Sequence, residues 1–258
     1  MSDKHQVRGG CSTTAMSIEL IRKIDSIAMD KFGVPGIVLM ENASRGAAEM
    51  IHAKAPRGTV LILAGSGNNG GDGFAIARQL MMFDRSVEVL TTFDRKPTTS
   101  DAGINQNICE QLGCSMVTPD DDVKRQMDCF DRAELIIDCL LGTGATGDPR
   151  PPAARLIEYA NASSAIRFAV DIPTGLDATT GVPGTPTFRA DHTITFIAPK
   201  PGFESETARP WLGQVHIIGI GVPSAVLLAG KQTMLETNAV INAPTEHDQT
   251  GVDSRTKA

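Results

Sequence analysis

Three short segments gather groups able to hold an anion, a cation and a proton. Gly65-Ser66-Gly67-Asn68-Asn69-Gly70-Gly71-Asp72-Gly73 puts five glycines, two amides and a carboxylate after Thr59–Ala64, a strand-like apolar run, and before Phe74–Met82, which has the apolar spacing of a helix. Glycine lets a ligand approach the main chain, and a helix N-terminus offers unpaired N–H groups, so the segment suits a phosphate or diphosphate. It has neither the lysine of a P-loop nor the G-x-G-x-x-G of a dinucleotide fingerprint, so Asn68, Asn69 and Asp72 need another role. The second segment is Asp138-Cys139-Leu140-Leu141-Gly142-Thr143-Gly144 and the third Asp171-Ile172-Pro173-Thr174-Gly175-Leu176-Asp177.

Each segment places an amide or carboxylate at a strand end beside a glycine turn. Asn69 and Thr174 offer uncharged oxygens, Asp138 an anionic one, and the turns expose carbonyls. Such a set suits a hard monovalent cation, with potassium as the expectation, better than zinc or iron. The competing reading is that each Asp merely caps a turn or helix. Asp171 is the catalytic candidate, because a carboxylate directly after a buried strand and before a stiff Pro turn is partly desolvated and suits acid–base work. Asp177 reads as a solvated turn residue, Asp191 and Lys200 as rim residues with the lysine in solvent, and Cys139 as packing at a strand end.

Positioning these groups requires alternating elements. Helices are expected over Ser17–Lys31, with Ser17 as N-cap, and Ile37–His52, where Glu41-Asn42 is the polar intrusion. Strands follow at Thr59–Ala64, Ser86–Phe93, Ala133–Leu140, Ala165–Ile172, His192–Ala198 and Gln214–Ile220, with further helices near Ala102–Leu112 and Ala153–Ala160. Nearly continuous apolar strands alternating with helices imply an α/β, Rossmann-like three-layer sandwich, a mostly parallel sheet with helices on both faces, as one domain over 16–236. The polar ends, 1–15 and 237–258, read as flexible tails. Ligands collect at the carboxyl ends of such strands, so Asn69, Asp138 and Asp171 are expected in one crevice.

The 258 residues carry 30 acidic and 24 basic side chains, a net charge of −6. That leaves no basic stripe for nucleic acid and no polybasic patch for a membrane, and any phosphorylated ligand must be held locally. No apolar run is long enough to span a bilayer and no secretory leader is evident, so a cytoplasmic protein is expected. Five cysteines without a C-x-x-C pair, and five histidines without an H-x-x-x-H pair, suggest neither a disulfide framework nor a zinc site.

GSGNNGGDGFAIARQL, DCLLGTG, DIPTGLDATTG and the upstream VPGIVLMENASRGAA resemble the YjeF N-terminal domain family, over roughly Ser17 to Gly221. The resemblance implies an epimerase of hydrated NADH or NADPH acting at C6 of the nicotinamide ring, often homodimeric, whose S product a separate dehydratase restores. It further implies dinucleotide contacts from Asn68, Asn69, Gly70, Gly71 and Asp72 and from Gly142, Thr143, Gly144, Ala145, Thr146, Gly147 and Asp148. Asp171 would bind or act on the ring, and Asn69, Asp138 and Thr174 would hold potassium. Ser66 stands where the family has proline, Leu141 where phenylalanine is common, and Thr174 replaces serine while keeping the hydroxyl. Two other readings stand beside this one. A non-catalytic binding or dimerisation module of the same fold tends to lose the Asp171 carboxylate or the loop amides, both kept here. An ordinary NAD(P) oxidoreductase would want a ribose-binding acid near Thr91–Asp94.

Overall fold

In a computed structural model of the chain, residues 11–93, 99–118 and 123–241 are described; Asp94 and the ends 1–10 and 242–258 lie outside them. The described residues form a seven-stranded sheet, parallel in every pairing, in the order β3-β2-β1-β4-β5-β6-β7. Its strands are β1 (Val60–Ala64), β2 (Val87–Thr91), β3 (Ser115–Val117), β4 (Leu135–Cys139), β5 (Ile166–Val170), β6 (His192–Phe196) and β7 (Gln214–Ile218). The helices are α1 (Ile18–Asp30), α2 (Gly36–Lys54), α3 (Asn68–Met81), α4 (Asp101–Gln111), α5 (Val123–Arg132), α6 (Ala153–Ala162), the single turn α7 (Arg209–Leu212) and α8 (Ser224–Ile241). None is long and apolar enough to cross a membrane.

Every residue of β1 and β4 is buried, which explains their lack of polar alternation. Val60, Ile62 and Ala64 face Ala47, Ile51, Phe74 and Cys109 of α2, α3 and α4. Leu61 and Leu63 face Phe130 of α5 and Leu156 of α6 on the other side. The strand order reverses between β1 and β4, so the crevice of an open parallel sheet opens there. Glu41 spans α2 and α3, taking hydrogen bonds from Arg78 and Gln79, and Asn42 Nδ2 donates to the Ile220 carbonyl (3.4 Å). The polar pair in α2 therefore ties that helix to α3 through Glu41 and to the segment after β7 through Asn42.

Ser17 caps α1, its Oγ accepting from the Leu20 N–H at 3.1 Å. The expected start of α3 at Phe74 is six residues late, since the helix already runs from Asn68. Glycine's poor helix propensity argues for a loop there, but packing overrides it. A methyl at Gly70 would be driven into the Gly65 carbonyl, and one at Gly73 would lie 2.9 Å from Cys139 Cβ, so the glycines let α3 sit close on β1 and β4. The sequence pattern does not announce β3, α5, α7, α8 or the 3-10 turn at Pro201–Glu204. α8 is held by tertiary contact, with Val226 and Leu227 in one cluster with Ile24 and Ile27 of α1, and it runs past the expected boundary at 236. At the other end, Ser12 N–H, within the segment that reads as tail, donates to the Ile197 carbonyl (2.8 Å), and Met16 N–H donates to that of Pro199 (3.0 Å).

Candidate active site

Asp138 sits at the fourth position of β4, paired in register with Leu63 and Ala169, and is fully buried. Its Oδ1 accepts from the Leu140 N–H (3.1 Å) and the Thr174 hydroxyl (2.7 Å), and its Oδ2 from the Thr174 N–H (2.7 Å). Burial pushes its carboxyl up to about 6 even against those hydrogen bonds from Thr174 and Leu140. Thr174 Oγ1 also accepts from the Leu141 N–H at 3.1 Å, which fastens the turn after β4 to the turn after β5.

Asp171 follows β5 directly, with φ 66°. The Ile172 N–H bonds the Val170 carbonyl across it at 2.9 Å, and Ala198 closes the same three-residue turn onto Phe196 (2.7 Å) around Ile197, also at φ 66°. Such turns with a left-handed central residue are rare and strained, most of all at a β-branched residue, and they aim both strand ends abruptly. The first turn points Asp171 at the segment after β4. Its Oδ2 accepts from the Thr143 N–H (3.3 Å), and a Cβ at Gly142 would lie 3.4 Å from that oxygen and 3.4 Å from Asn69 Cβ. The second turn leads to Lys200.

Lys200 corrects the sequence reading. It is 1% exposed rather than solvated, and its Nζ reaches Asp171 Oδ1 at 2.6 Å, Thr195 Oγ1 at 2.8 Å and the Phe196 carbonyl at 3.4 Å. Pro199 and Pro201 beside a glycine suggested an open loop; a lysine flanked by two turn-stiffening prolines straight after a buried strand was the available signal. Asp191 lies at the opposite end of the sheet, receiving the Arg167 N–H at 2.9 Å, and belongs to no site. Asp177 takes the Thr179 and Thr180 N–H groups (3.0 and 2.7 Å) and the Thr180 hydroxyl (2.8 Å). Thr180's hydrogen bonds hold its carboxyl below the usual range, as befits a turn. Cys139 is buried against α3, as packing requires.

Asn69, in the first turn of α3, is 7% exposed, and its Oδ1 and Nδ2 have no hydrogen-bond partner. Orphaned buried polar atoms in a native site point to a bound ion or ligand. Asn69 carries an amide oxygen, Asp138 a carboxylate and Thr174 a hydroxyl, oxygen types that suit a hard monovalent cation. Among the described residues no group of three or more His, Cys, Asp or Glu could hold a metal ion. Asp72, one turn along α3, accepts from Ser44 Oγ (3.4 Å); burial, then Asp171's charge, raise its carboxyl well above the usual range. Asn68 is exposed at the start of the helix.

A cavity of about 250 Å³ lies beside this cluster, between the 142–148 loop and the turns after β5, with Gly142, Thr146, Asp148, Thr174, Asp177 and Pro183 among its walls. It shares Gly142 and Thr174 with the cluster, while Asn69, Asp138 and Asp171 are not among its walls. Thr143 and Gly144 to Gly147 run along the exposed side, and Asp148 Oδ1 is engaged by the Thr185 N–H at 2.9 Å. Two groups on α1 also reach the region. Arg22 Nη2 lies 3.5 Å from where a Cβ at Gly144 would stand, and Asp25 has a buried Oδ1 with no partner.

The family described as YjeF-related protein N-terminus matches residues 36–202. The chain is 50% identical over 212 residues to an NAD(P)H-hydrate epimerase of Rhodopirellula baltica, covering 82% of this chain and 86% of that one. It is 40% identical to an enzyme of the same name from Pirellula staleyi, covering 80% and 92%. To the bifunctional NAD(P)H-hydrate repair enzyme Nnr of Escherichia coli it is 35% identical, covering 84% of this chain and 41% of that one. A solved yeast structure, ynu0 (YNL200c), shares the fold with a TM-score of 0.68 at 23% identity, covering 74% of this chain and 83% of that one. This chain belongs to the YjeF-related N-terminal family.

Proposed function

We propose that the chain is an NAD(P)H-hydrate epimerase, interconverting the R and S configurations at C6 of hydrated NADH and NADPH. The supporting observation is the Asp171 carboxylate, aimed by a strained turn, held by Thr143 N–H and Lys200, beside an orphaned Asn69, in a chain half identical to a named epimerase. In this reading Asp171 gives a proton to the C6 hydroxyl. The C6–O bond breaks, water leaves, and the ring nitrogen's lone pair closes a C=N bond; water then adds to the other face and returns its proton to Asp171. No redox step is needed. The ring binds at the Asn69–Asp171–Lys200 cluster, and the diphosphate runs along the 142–148 loop and the start of α3.

Asn69, Asp138 and Thr174 would hold potassium, which supplies fixed positive charge near the anionic dinucleotide and orients the turns after β4 and β5. A dehydratase acting on the S form would consume the product, as the bifunctional names of longer relatives suggest. We also infer a cytoplasmic homodimer, for which Met29 and Phe32 near the end of α1 and Val38 at the start of α2, all exposed, are candidate contacts.

The test is to incubate an R/S mixture of hydrated NADH with an S-specific dehydratase. With this protein added the whole mixture is consumed, whereas a binding module or a dehydrogenase leaves the R half untouched. Asp171→Asn should leave the R half intact while still binding NADH; turnover at the parent rate would remove Asp171 from the mechanism.

A further inference from the structure

We propose that Asp25 is the second counter-ion of Lys200, a positioning residue that keeps the buried ammonium paired while Asp171 carries the proton of the reaction. The inference rests on the epimerase reading and adds to it a residue from α1, outside the three site segments.

The argument starts from charge. Lys200 is almost wholly buried, and in the free protein its anionic partner is Asp171, at 2.6 Å. A buried ammonium without an anion is strongly disfavoured, so Asp171 cannot hold the proton it must donate unless another carboxylate is at hand. α1 supplies one. The segment leading into that helix is fastened to the Lys200 turn on both sides of Ala198, through Ser12 to Ile197 and Met16 to Pro199, and Ile24 packs in one cluster with Ile197 and Ala198. Asp25 follows Ile24 directly on this anchored helix, and one of its carboxylate oxygens is buried and unpartnered.

The charges of Lys200 after β6 and Asp171 after β5 act on the Asp25 carboxyl, and Asp25 in turn acts on Asp72 of α3; Arg22, one turn back on α1, reaches the 142–148 loop at Gly144. Burial raises the Asp25 carboxyl to about 6, the Lys200 charge opposes that rise and the Asp171 charge adds to it. Two carboxylates, one ammonium and one proton are neutral before transfer. After Asp171 has given its proton to the leaving hydroxyl, the same groups carry one negative charge against the ring's new positive charge. Asp25 therefore balances the cluster in both states, while burial raises the Asp72 carboxyl well above the usual range.

The test compares Asp25→Asn and Asp25→Glu with the parent in the R/S assay, separating kcat from KM. For Asp25→Asn, kcat should fall by about ten- to a hundredfold with KM moving less than about twofold, and Asp25→Glu should keep about a third of kcat. In the parent, kcat should drop as pH falls through about 6, because protonating Asp25 removes the second counter-ion; in Asp25→Asn that limb disappears. Parent-like kcat and pH dependence in Asp25→Asn would overturn the inference. If that variant does not fold, Asp25→Glu decides alone: at parental Tm, a kcat below about a hundredth of the parent, or loss of the acid limb, is equally fatal. An inactive parent, or a fully active Asp171→Asn, would instead sink the epimerase reading.

Discussion

The two ends of the sheet are built to opposite rules. At the amino ends of the strands the charges are paired. Arg85 donates to the carbonyls of Ala55 (2.6 Å), Arg57 (2.7 Å) and Gly58 (2.8 Å), Arg167 meets Asp191, and His192 Nδ1 lies 3.1 Å from His216 Nε2 with Phe168 stacked on its ring. At the carboxyl ends Asn69 and Asp25 have orphaned buried atoms, Asp171 and Ile197 sit at positive φ, and an ammonium is buried. His52 Nδ1 aside, the amino end spends its buried polar groups on itself; the carboxyl end leaves those of Asn69 and Asp25 unspent, which is how a fold stores capacity to bind and react.

Paired substitutions at the two ends should split activity from stability. Lys200→Met should cut epimerisation by about a hundredfold or more, since the Asp171 carboxylate loses its partner. Arg85→Met should leave kcat within about twofold and lower stability by about 2–4 kcal/mol, as three carbonyls lose a charged donor. Calorimetry beside the R/S assay separates them; equal losses of activity in both would erase the division between the ends.

Potassium sharpens the contrast at intermediate size. Replacing sodium by potassium at constant ionic strength should raise Tm by several degrees, about what 100-fold saturation of one site supplies at roughly 3 kcal/mol. Thr174→Val should abolish that difference, because the hydroxyl is lost at constant shape. A Tm indifferent to the cation would withdraw the ion site and leave the acid–base cluster standing.

The smallest expected effect is one of sign. His192 is pushed down by burial and then by Lys54, so the folded state favours the neutral ring and stability is lost as pH falls through the unfolded value of 6.5. Asp25 is raised from 3.8 to about 6, so the folded state favours the neutral acid and stability is lost as pH rises between those values. His192→Gln should therefore flatten the thermal-melt profile between pH 7 and 5.5. Asp25→Asn should raise Tm at pH 7.5 more than at pH 4. Identical shifts at both pH values in either variant would contradict the assignment of that group.

Much of the candidate site is legible in the sequence because its residues are local. Asn69, Asp138, Asp171 and Thr174 each lie in a glycine-punctuated segment beside an apolar strand, a pattern that needs no coordinates to notice. Lys200 reads as solvated because the same Pro-Gly surroundings that mark an open loop also mark a forced turn, and only burial tells them apart. Asp25 carries no such mark at all; on α1 it is one acid among several on an amphipathic helix, and what singles it out is the docking of that helix on a strand end far along the chain. α3 was begun too late for a related reason, since its glycines are chosen for contact with β1 and β4 against their own helix propensity.

The chain by itself determined the alternation of strand and helix, the parallel sheet and the chemistry of three loops, because period, apolar run length and turn residues act over a few neighbours. Tertiary structure alone decided the strand order, the Asp171–Lys200 pair and the packing of α8 against Ile24 of α1. Those depend on burial and on charges set against each other across long stretches of chain, and free energies of that kind exist only once the elements have met.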